Sequence, residues 1–179
     1  MNRFRFLFVL VLGLFATLAT SSFADERGMI HTGDSMRVKS VGPFTVKVYS
    51  IRHDMAEKLE RKSKQAAIDA DVNKKFTWVM QRDVESAKIQ KALRDAFAMN
   101  GYGDQAKIGQ FVGAFNKEEV KEKSSVVISY NATSKAVTIW VQNGGSATIP
   151  GVDFMKGVWS IWFGKIDQPS MGDQLISLI

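Results

Sequence analysis

The stretch from residue 136 to residue 165 constrains the fold more than any other part of the chain. Asn143-Gly144 lies between two alternating apolar runs, which is typical of a β-hairpin. The segment 151–165 then carries aliphatic and aromatic residues at helical spacing, including Trp159 and Trp162. A helix this apolar must be buried, so we expect both tryptophans to anchor a hydrophobic core.

The first 24 residues have the features of an export signal. Arg3 and Arg5 precede an apolar run, and small residues precede a cleavage point after Ala24. An uncleaved membrane anchor is the alternative, but the run is shorter than the roughly 20 residues needed to span a bilayer. The sequence therefore predicts a signal peptide over 1–24 and one domain over 25–179, periplasmic or secreted, without a stable membrane anchor after cleavage.

Composition excludes several functions. The chain has no cysteine, so it has no disulfide and no thiolate nucleophile. Its formal net charge is +6, which falls to +4 without Arg3 and Arg5. The remaining charges are mixed in sign along the chain, so a nucleic-acid partner is not expected.

Hydrophobic periodicity predicts an α+β fold, because strands, a helical pair, further strands and a helix follow one another without βαβ alternation. Asp104 is placed to cap the second helix of the pair, and Ser170 with Asp173 has the spacing of a weak capping box. The predicted strands are 36–41, 44–51, 76–80, 126–130, 136–142 and 146–149; the predicted helices lie around 89–97, 108–115 and 152–162, with short ones within 54–75 and after Pro169.

Three blocks of sequence, taken in order, resemble the chalcone isomerase-like superfamily, and in particular its bacterial members. The first is Arg37 followed by residues 46–51, similar to the opening hairpin of the family. The second is 76–84, similar to the strand that leads into the first long helix, and the third is 151–164, similar to the closing helix. Their order and spacing carry the resemblance, because each block alone is mostly a hydrophobic pattern.

The resemblance implies an antiparallel β-sheet with helices layered on one face, an open-faced sandwich with a cleft between the two layers. Plant members of the family include the isomerase that closes chalcones into flavanones. Other members bind fatty acids without such catalysis, and some relatives bind haem. No cofactor is expected here, with haem as the exception to consider.

Arg37 is the predicted centre of a ligand-binding site. A guanidinium is always charged and offers a planar fork of donors that suits a carboxylate or an oxyanion. On a strand that faces an apolar cleft, it would hold the polar end of an amphiphile. By composition alone it would be an ordinary surface arginine; the resemblance favours the cleft.

Tyr49 is the second predicted ligand-binding residue, and its role depends on the turn of the first hairpin. Strict alternation puts Val46 and Val48 on one face of the strand and Tyr49 on the other. A three-residue turn over 42–44 would place Arg37 directly opposite Tyr49, whereas a two-residue turn would put them on opposite faces. A half-buried strand tyrosine without function is the alternative.

Flavonoid chemistry is not expected. At the positions where the resemblance places the hydroxyl and amide groups of the plant enzymes, this chain has Tyr49, Glu85, Ala92 and Met155. Cyclisation needs several preorganised donors for a developing oxyanion, and most are missing. The leading hypothesis is a non-catalytic protein that binds a fatty-acid-like amphiphile. The alternatives are an isomerase or intramolecular lyase that uses Arg37, and a cell-envelope interaction module whose cleft its own side chains fill.

His31 and His53 are the two histidines of the chain, too few for a zinc site. Either one could in principle ligate haem, but both are predicted to lie on the surface. Methionines adapt to irregular shapes and could line a pocket for a lipid chain, although core packing is their commoner use. The four considered for this role are Met36, Met80, Met99 and Met155.

Overall fold

The computed structural model describes residues 28–179 and confirms the α+β architecture. Its strands and helices, in chain order, are β1 (Ile30–Val41), β2 (Phe44–Met55), α1 (Lys64–Asp69), β3 (Lys74–Met80), β4 (Val84–Glu85), α2 (Ser86–Met99), α3 (Gln105–Val112), β5 (Glu119–Val120), β6 (Ser125–Asn131), β7 (Ala136–Val141), β8 (Ser146–Pro150), α4 (Val152–Phe163) and α5 (Ser170–Gln174). The predicted signal peptide lies outside the described residues.

Six strands form one antiparallel sheet in the order β1-β2-β3-β6-β7-β8. On β3, Phe76 and Trp78 are buried while the intervening Thr77 is half-buried, and β6 alternates in the same way. One face of the sheet therefore carries the core, and the helices cover that face, as predicted. A separate two-stranded ribbon joins β4 and β5.

Helix α4 is buried on nearly all sides, which explains its almost continuous apolar sequence. Trp159 and Trp162 are buried against Phe76 of β3, with ring centroids 5.1 and 4.6 Å away, so the prediction that both anchor the core is confirmed. Within residues 28–179, no helix is long and apolar enough to cross a membrane.

The helix caps agree with the sequence in one case and differ in the other. Asp104 accepts hydrogen bonds from the backbone N–H groups of Ala106 and Lys107, as expected for an N-cap. The predicted capping box at Ser170 is wrong, because α5 begins after Pro169 and no side chain caps it. Proline already presets the helical φ there, so the first turn forms without a polar cap.

Two irregularities set the register of the β1–β2 hairpin. Gly42 and Pro43 make a two-residue turn, with Gly42 in the left-handed region at φ +59°. The pairing shifts by one residue next to Arg37, so that Val48 is an extra residue in β2. A second shift leaves Thr32 as an extra residue in β1. Because each strand has one extra residue, the two register shifts cancel. Ile30 and Met55 therefore pair in the same register as Val41 and Phe44 beside the turn.

Candidate functional site

A cleft of about 720 Å³ lies between the β1–β3 end of the sheet and helices α2 and α4. Its walls are mainly apolar, and they come from elements far apart in the sequence, so the cleft exists only in the folded chain. The apolar lining consists of Val41, Val46, Val48, Tyr49, Trp78, Met80, Val84, Ile89, Ala92, Leu93, Ala96, Met99, Ile161, Trp162 and Ile166.

Charged residues line the cleft along its opening. On the hairpin side this rim carries Lys39, and on the helical side it carries Lys165 and Asp167. Further acidic and basic residues of mixed sign line the cleft on the side of α2, all of them exposed except the half-buried Glu119: Arg82, Asp83, Glu85, Lys88, Asp95 and Glu119. An apolar interior with polar groups at its edge is typical of pockets for small molecules.

Arg37 lines this cleft, and its side chain is only 12% exposed. Its Nη2 lies 2.6 Å from Asp167 Oδ1, and the other oxygen of Asp167 accepts a hydrogen bond of 2.6 Å from Lys39. Partial burial acts to raise the pKa of Asp167, but the hydrogen bonds from Lys39 and Arg37 and the positive charges of both side chains outweigh it and hold that pKa below its usual range. Two positive charges thus share one carboxylate, which leaves the group with a net positive charge.

Gln168 fixes the loop after α4 to the free edge of β1. Its side-chain nitrogen donates to the carbonyl of Met36 at 2.8 Å, and its side-chain oxygen accepts from the backbone N–H of Val38 at 3.1 Å. The same oxygen lies 3.4 Å from Arg37 Nη1. The amide therefore occupies the place of a neighbouring strand and keeps Asp167 beside Arg37.

Tyr49 pairs directly with Arg37 across the strands, which is one of the two registers that the sequence left open, but the turn is not the one expected for it. The turn has two residues, which alone would have separated them; the bulge at Val48 restores the pairing. The bulge also breaks the expected alternation, since Val46, Val48 and Tyr49 all line the cleft. The prediction of opposite faces was wrong because a bulge places two successive side chains against one partner.

The hydroxyl of Tyr49 accepts a hydrogen bond of 3.1 Å from Trp162 Nε1, and its ring stacks on Trp78 at 4.7 Å. Burial raises its pKa, while the Trp162 hydrogen bond and the charge of Arg37 act against that rise. The phenol therefore stays protonated. Its own proton has no acceptor in the part of the chain that the structure describes, so it is available to a ligand.

Trp78 contributes a further unsatisfied donor that sequence reasoning missed. It lines the cleft, and its indole N–H is buried with no acceptor among residues 28–179. A buried donor without a partner costs free energy. Asp167 and Gln168 were also missed, because nothing local in the sequence links them to a strand 130 residues earlier.

The other positions named from the sequence divide between cleft and core. Glu85 and Ala92 line the cleft, whereas Met155 is fully buried and does not. Of the four methionines considered for a pocket, Met80 and Met99 line it. Met36 and Met155 do not.

The prediction that His53 lies on the surface was wrong. It is fully buried, and it lies on the face of β2 that also carries Ile51. Its Nε2 accepts a hydrogen bond of 3.0 Å from Trp159 Nε1, so the proton lies on Nδ1, 2.7 Å from Thr32 Oγ1. Thr32 in turn donates to the carbonyl of Leu175 at 2.8 Å. Both ring nitrogens are thus occupied.

His31 is half-buried, and its Nε2 lies within hydrogen-bond distance of Asp34 Oδ2, at 2.7 Å. Neither histidine lines the cleft. Among residues 28–179, no group of three or more histidine, aspartate or glutamate side chains is arranged to hold a metal ion. The cleft is therefore built from apolar walls, indole and phenol donors, and the Arg37–Lys39–Asp167 group.

Comparisons with known proteins agree with this architecture. The sequence model of the chalcone isomerase-like family matches residues 30–171, a segment that contains the whole cleft lining. Among solved structures, a fatty-acid binding protein of Arabidopsis thaliana superposes with a TM-score of 0.66 over 85% of this chain and 89% of that chain, at 13% sequence identity. At that identity the likeness shows the fold alone. No curated protein matches the sequence.

Proposed function

Because the chain belongs to the chalcone isomerase-like family, we propose that its cleft binds an amphiphilic, fatty-acid-like small molecule. The observation that carries the proposal is a nearly buried guanidinium in the wall of an apolar cleft of about 720 Å³. That volume lies within the roughly 300–1,000 Å³ of small-molecule pockets. The matched Arabidopsis protein, described as fatty-acid binding, supports the same ligand class.

In this proposal Arg37 holds the carboxylate of the ligand. Asp167 neutralises only one of the two charges of Arg37 and Lys39, so the group attracts a second anion. A guanidinium has five N–H donors, and the contacts with Asp167 and Gln168 leave some of them for a ligand. The ligand carboxylate shares Arg37 with Asp167 or takes its place.

Tyr49 is the second anchor, because it stands opposite Arg37 and its hydroxyl proton is available. The aliphatic tail lies against the apolar side chains of β2, β3 and α2. Methionines suit a flexible chain, and Met80 and Met99 both face the cleft.

Binding is favoured over the two alternatives. Catalysis of the chalcone type needs several donors around a developing oxyanion, and Ala92 cannot donate while Met155 lies away from the cleft. A module without a ligand would fill the cleft with its own side chains, and the volume of the cleft argues against that. We keep export as part of the proposal on the pattern of residues 1–24.

The test compares palmitate with hexadecanol, which has the same chain length but no charge. Arg37→Ala is expected to weaken palmitate binding by about 10- to 100-fold, since charge-assisted hydrogen bonds contribute about 1.5–3 kcal/mol. Hexadecanol affinity should stay within about threefold, because it reflects the apolar walls. Titration calorimetry or displacement of a fluorescent fatty acid measures both.

Arg94→Ala is the matched control, because Arg94 lies exposed on α2 and does not line the cleft. It should bind both ligands like the unmodified protein. Equal palmitate affinity in the Arg37 and Arg94 variants would overturn the anchor role. Equal losses of palmitate and hexadecanol after Arg37→Ala would show that Arg37 supports the walls and does not select the acid.

A further inference from the structure

The tip of the β1–β2 hairpin projects beyond the rest of the sheet. Strand β3 pairs with β2 only from Tyr49 to Met55, so the part of the hairpin between residues 38 and 48 has no third strand beside it. A backbone hydrogen bond of 2.9 Å from Gln81 N–H to the Val48 carbonyl lies at the base of this arm. Four residues of extended chain make the arm about 13 Å long.

The end of this arm is apolar and exposed. Val41 and Phe44, which flank the turn and pair with each other, are 59% and 72% exposed. Phe44 is the most exposed large hydrophobic side chain among residues 28–179. Contiguous exposed apolar patches commonly mark interaction sites, so the exposed pair Val41 and Phe44 at this tip indicates a contact.

The apolar tip continues into the cleft. Val41 belongs to both, since it lines the cleft at its opening. On the helical side of the same opening lies Met99, which is 50% exposed. A ligand that enters or leaves between Val41 and Met99 therefore passes over apolar surface from the tip to the interior.

Positive charge flanks this apolar surface on the hairpin side and at Lys165, whereas the rim along α2 is of mixed sign. From Ser35 to His53 the sequence contains no acidic residue, but it contains Arg37, Lys39, Lys47 and Arg52. On the helical side, Lys165 is exposed, and its backbone exchanges hydrogen bonds with the side chain of Asn100, next to Met99. Asp167 pairs with Arg37 and Lys39, and Asp54 pairs with Arg52.

We propose that this face, defined by Val41, Phe44 and Met99 with Lys39, Lys47 and Lys165, docks on an anionic lipid surface. Its apolar tip enters the interfacial region of the bilayer while the lysines contact acidic head groups. The opening of the cleft then faces the membrane, so an amphiphile moves between bilayer and cleft without crossing water. Only this last step rests on the proposed function, because lipid docking needs no ligand.

The experiment measures cosedimentation of the ligand-free protein with phosphatidylcholine vesicles, with and without phosphatidylglycerol. Binding is expected only when phosphatidylglycerol is present, and it should weaken as salt rises. Phe44→Ser should weaken it at least about tenfold, because insertion of the ring supplies the apolar part of the affinity. Lys47→Gln should weaken it about fivefold through the lost charge.

Two control variants are matched to these changes. Leu178→Ser removes an exposed apolar side chain of similar accessibility, 61%, at the other end of the sequence. Lys117→Gln removes one exposed charge away from the hairpin. Both should bind vesicles like the unmodified protein. Circular dichroism of the Phe44, Lys47, Leu178 and Lys117 variants checks that each one folds.

Three outcomes would overturn the docking proposal. One is equal binding to vesicles with and without phosphatidylglycerol, and another is equal loss in the Phe44 and Leu178 variants. The third is sedimentation of the free protein as a dimer that Phe44→Ser dissociates, without vesicle binding, because a second copy would then cover the tip. Vesicle binding is measured on the ligand-free protein and palmitate binding is measured without vesicles, so failure of the ligand site and failure of the docking face are distinguishable.

Discussion

Acidification is expected to destabilise this fold through one buried histidine. Burial in the core lowers the pKa of His53 to about 3, and the nearby positive charges of Lys74 and His31 act in the same direction. The hydrogen bond from Trp159 also requires an unprotonated Nε2. The folded protein thus holds His53 neutral at pH values where a solvated histidine takes up a proton.

The size of the effect follows from the two pKa values. The unfolded chain protonates this histidine below about pH 6.5, whereas the folded protein does so only near pH 3. In this window the unfolded state binds more protons, so the free energy of unfolding falls as the pH falls. The slope approaches about 1.4 kcal/mol per pH unit, and His53 should cost about 3 kcal/mol between pH 7 and pH 4.5.

Urea denaturation measured over this pH range tests the prediction on three proteins: the unmodified chain, His53→Gln and His31→Gln. Glutamine can accept from Trp159 and donate to Thr32 but cannot take up a proton, so the His53 variant should lose much less stability on acidification. His31→Gln should keep the dependence due to His53. Burial lowers the pKa of Lys74 to about 7, so this lysine adds a slope of the same sign near pH 7, which fades below about pH 6 as the folded protein protonates it too.

The reasoning fails if His53→Gln and the unmodified protein lose stability in parallel as the pH falls. That result would mean that folded His53 takes up a proton as readily as a solvated histidine. A parallel loss in His31→Gln and the unmodified protein is the expected outcome, because it assigns the difference to His53 alone.

Two further predictions concern the cleft and the packing of the terminal segment. Asp167→Asn removes the carboxylate that competes with the ligand for Arg37, so palmitate affinity should rise. The rise should be only about fivefold, because solvent screens this half-exposed group. The control Asp173→Asn should leave palmitate affinity unchanged, and a fall in affinity after Asp167→Asn would contradict the competition. Gly33→Ala should lower the urea stability by about 1–3 kcal/mol, because the new Cβ would overlap the backbone oxygen of Gln174, whereas Gly103→Ala, in open space, should have little effect.

The sequence predicted most of the fold because hydrophobic periodicity depends on residues that are close together in the chain. The alternation in β3 and β6, the stripe of α2 and the Asp104 cap each depend on neighbours within a few residues, and the structure contains all of them. His53 could also have been placed inside, because it follows Ile51 by two residues on the same strand face.

The pairing of Arg37 with Tyr49 shows where local reasoning becomes conditional. The sequence allowed two turn lengths, and each gave a different register. The structure has the shorter turn and reaches the pairing through a bulge at Val48. Bulges respond to the packing of the whole hairpin against its surroundings, so the turn residues Gly42 and Pro43 alone could not predict this one.

The sequence by itself determined most of the helices and strands, though not β4, β5 or the first residues of β1. It also determined the apolar helix α4 and the choice of Arg37 and Tyr49 as candidate ligand-binding residues. Only the tertiary structure decided that Arg37 shares its charge with Asp167 and that Trp162 donates to Tyr49. The residues of each pair lie more than a hundred positions apart in the sequence. Hydrophobic periodicity and capping motifs depend only on residues that are close in sequence, so they could not predict these contacts. Periodicity alone could not show the cleft, which only the family resemblance implied, because a cavity belongs to surfaces that meet only when sheet and helices pack.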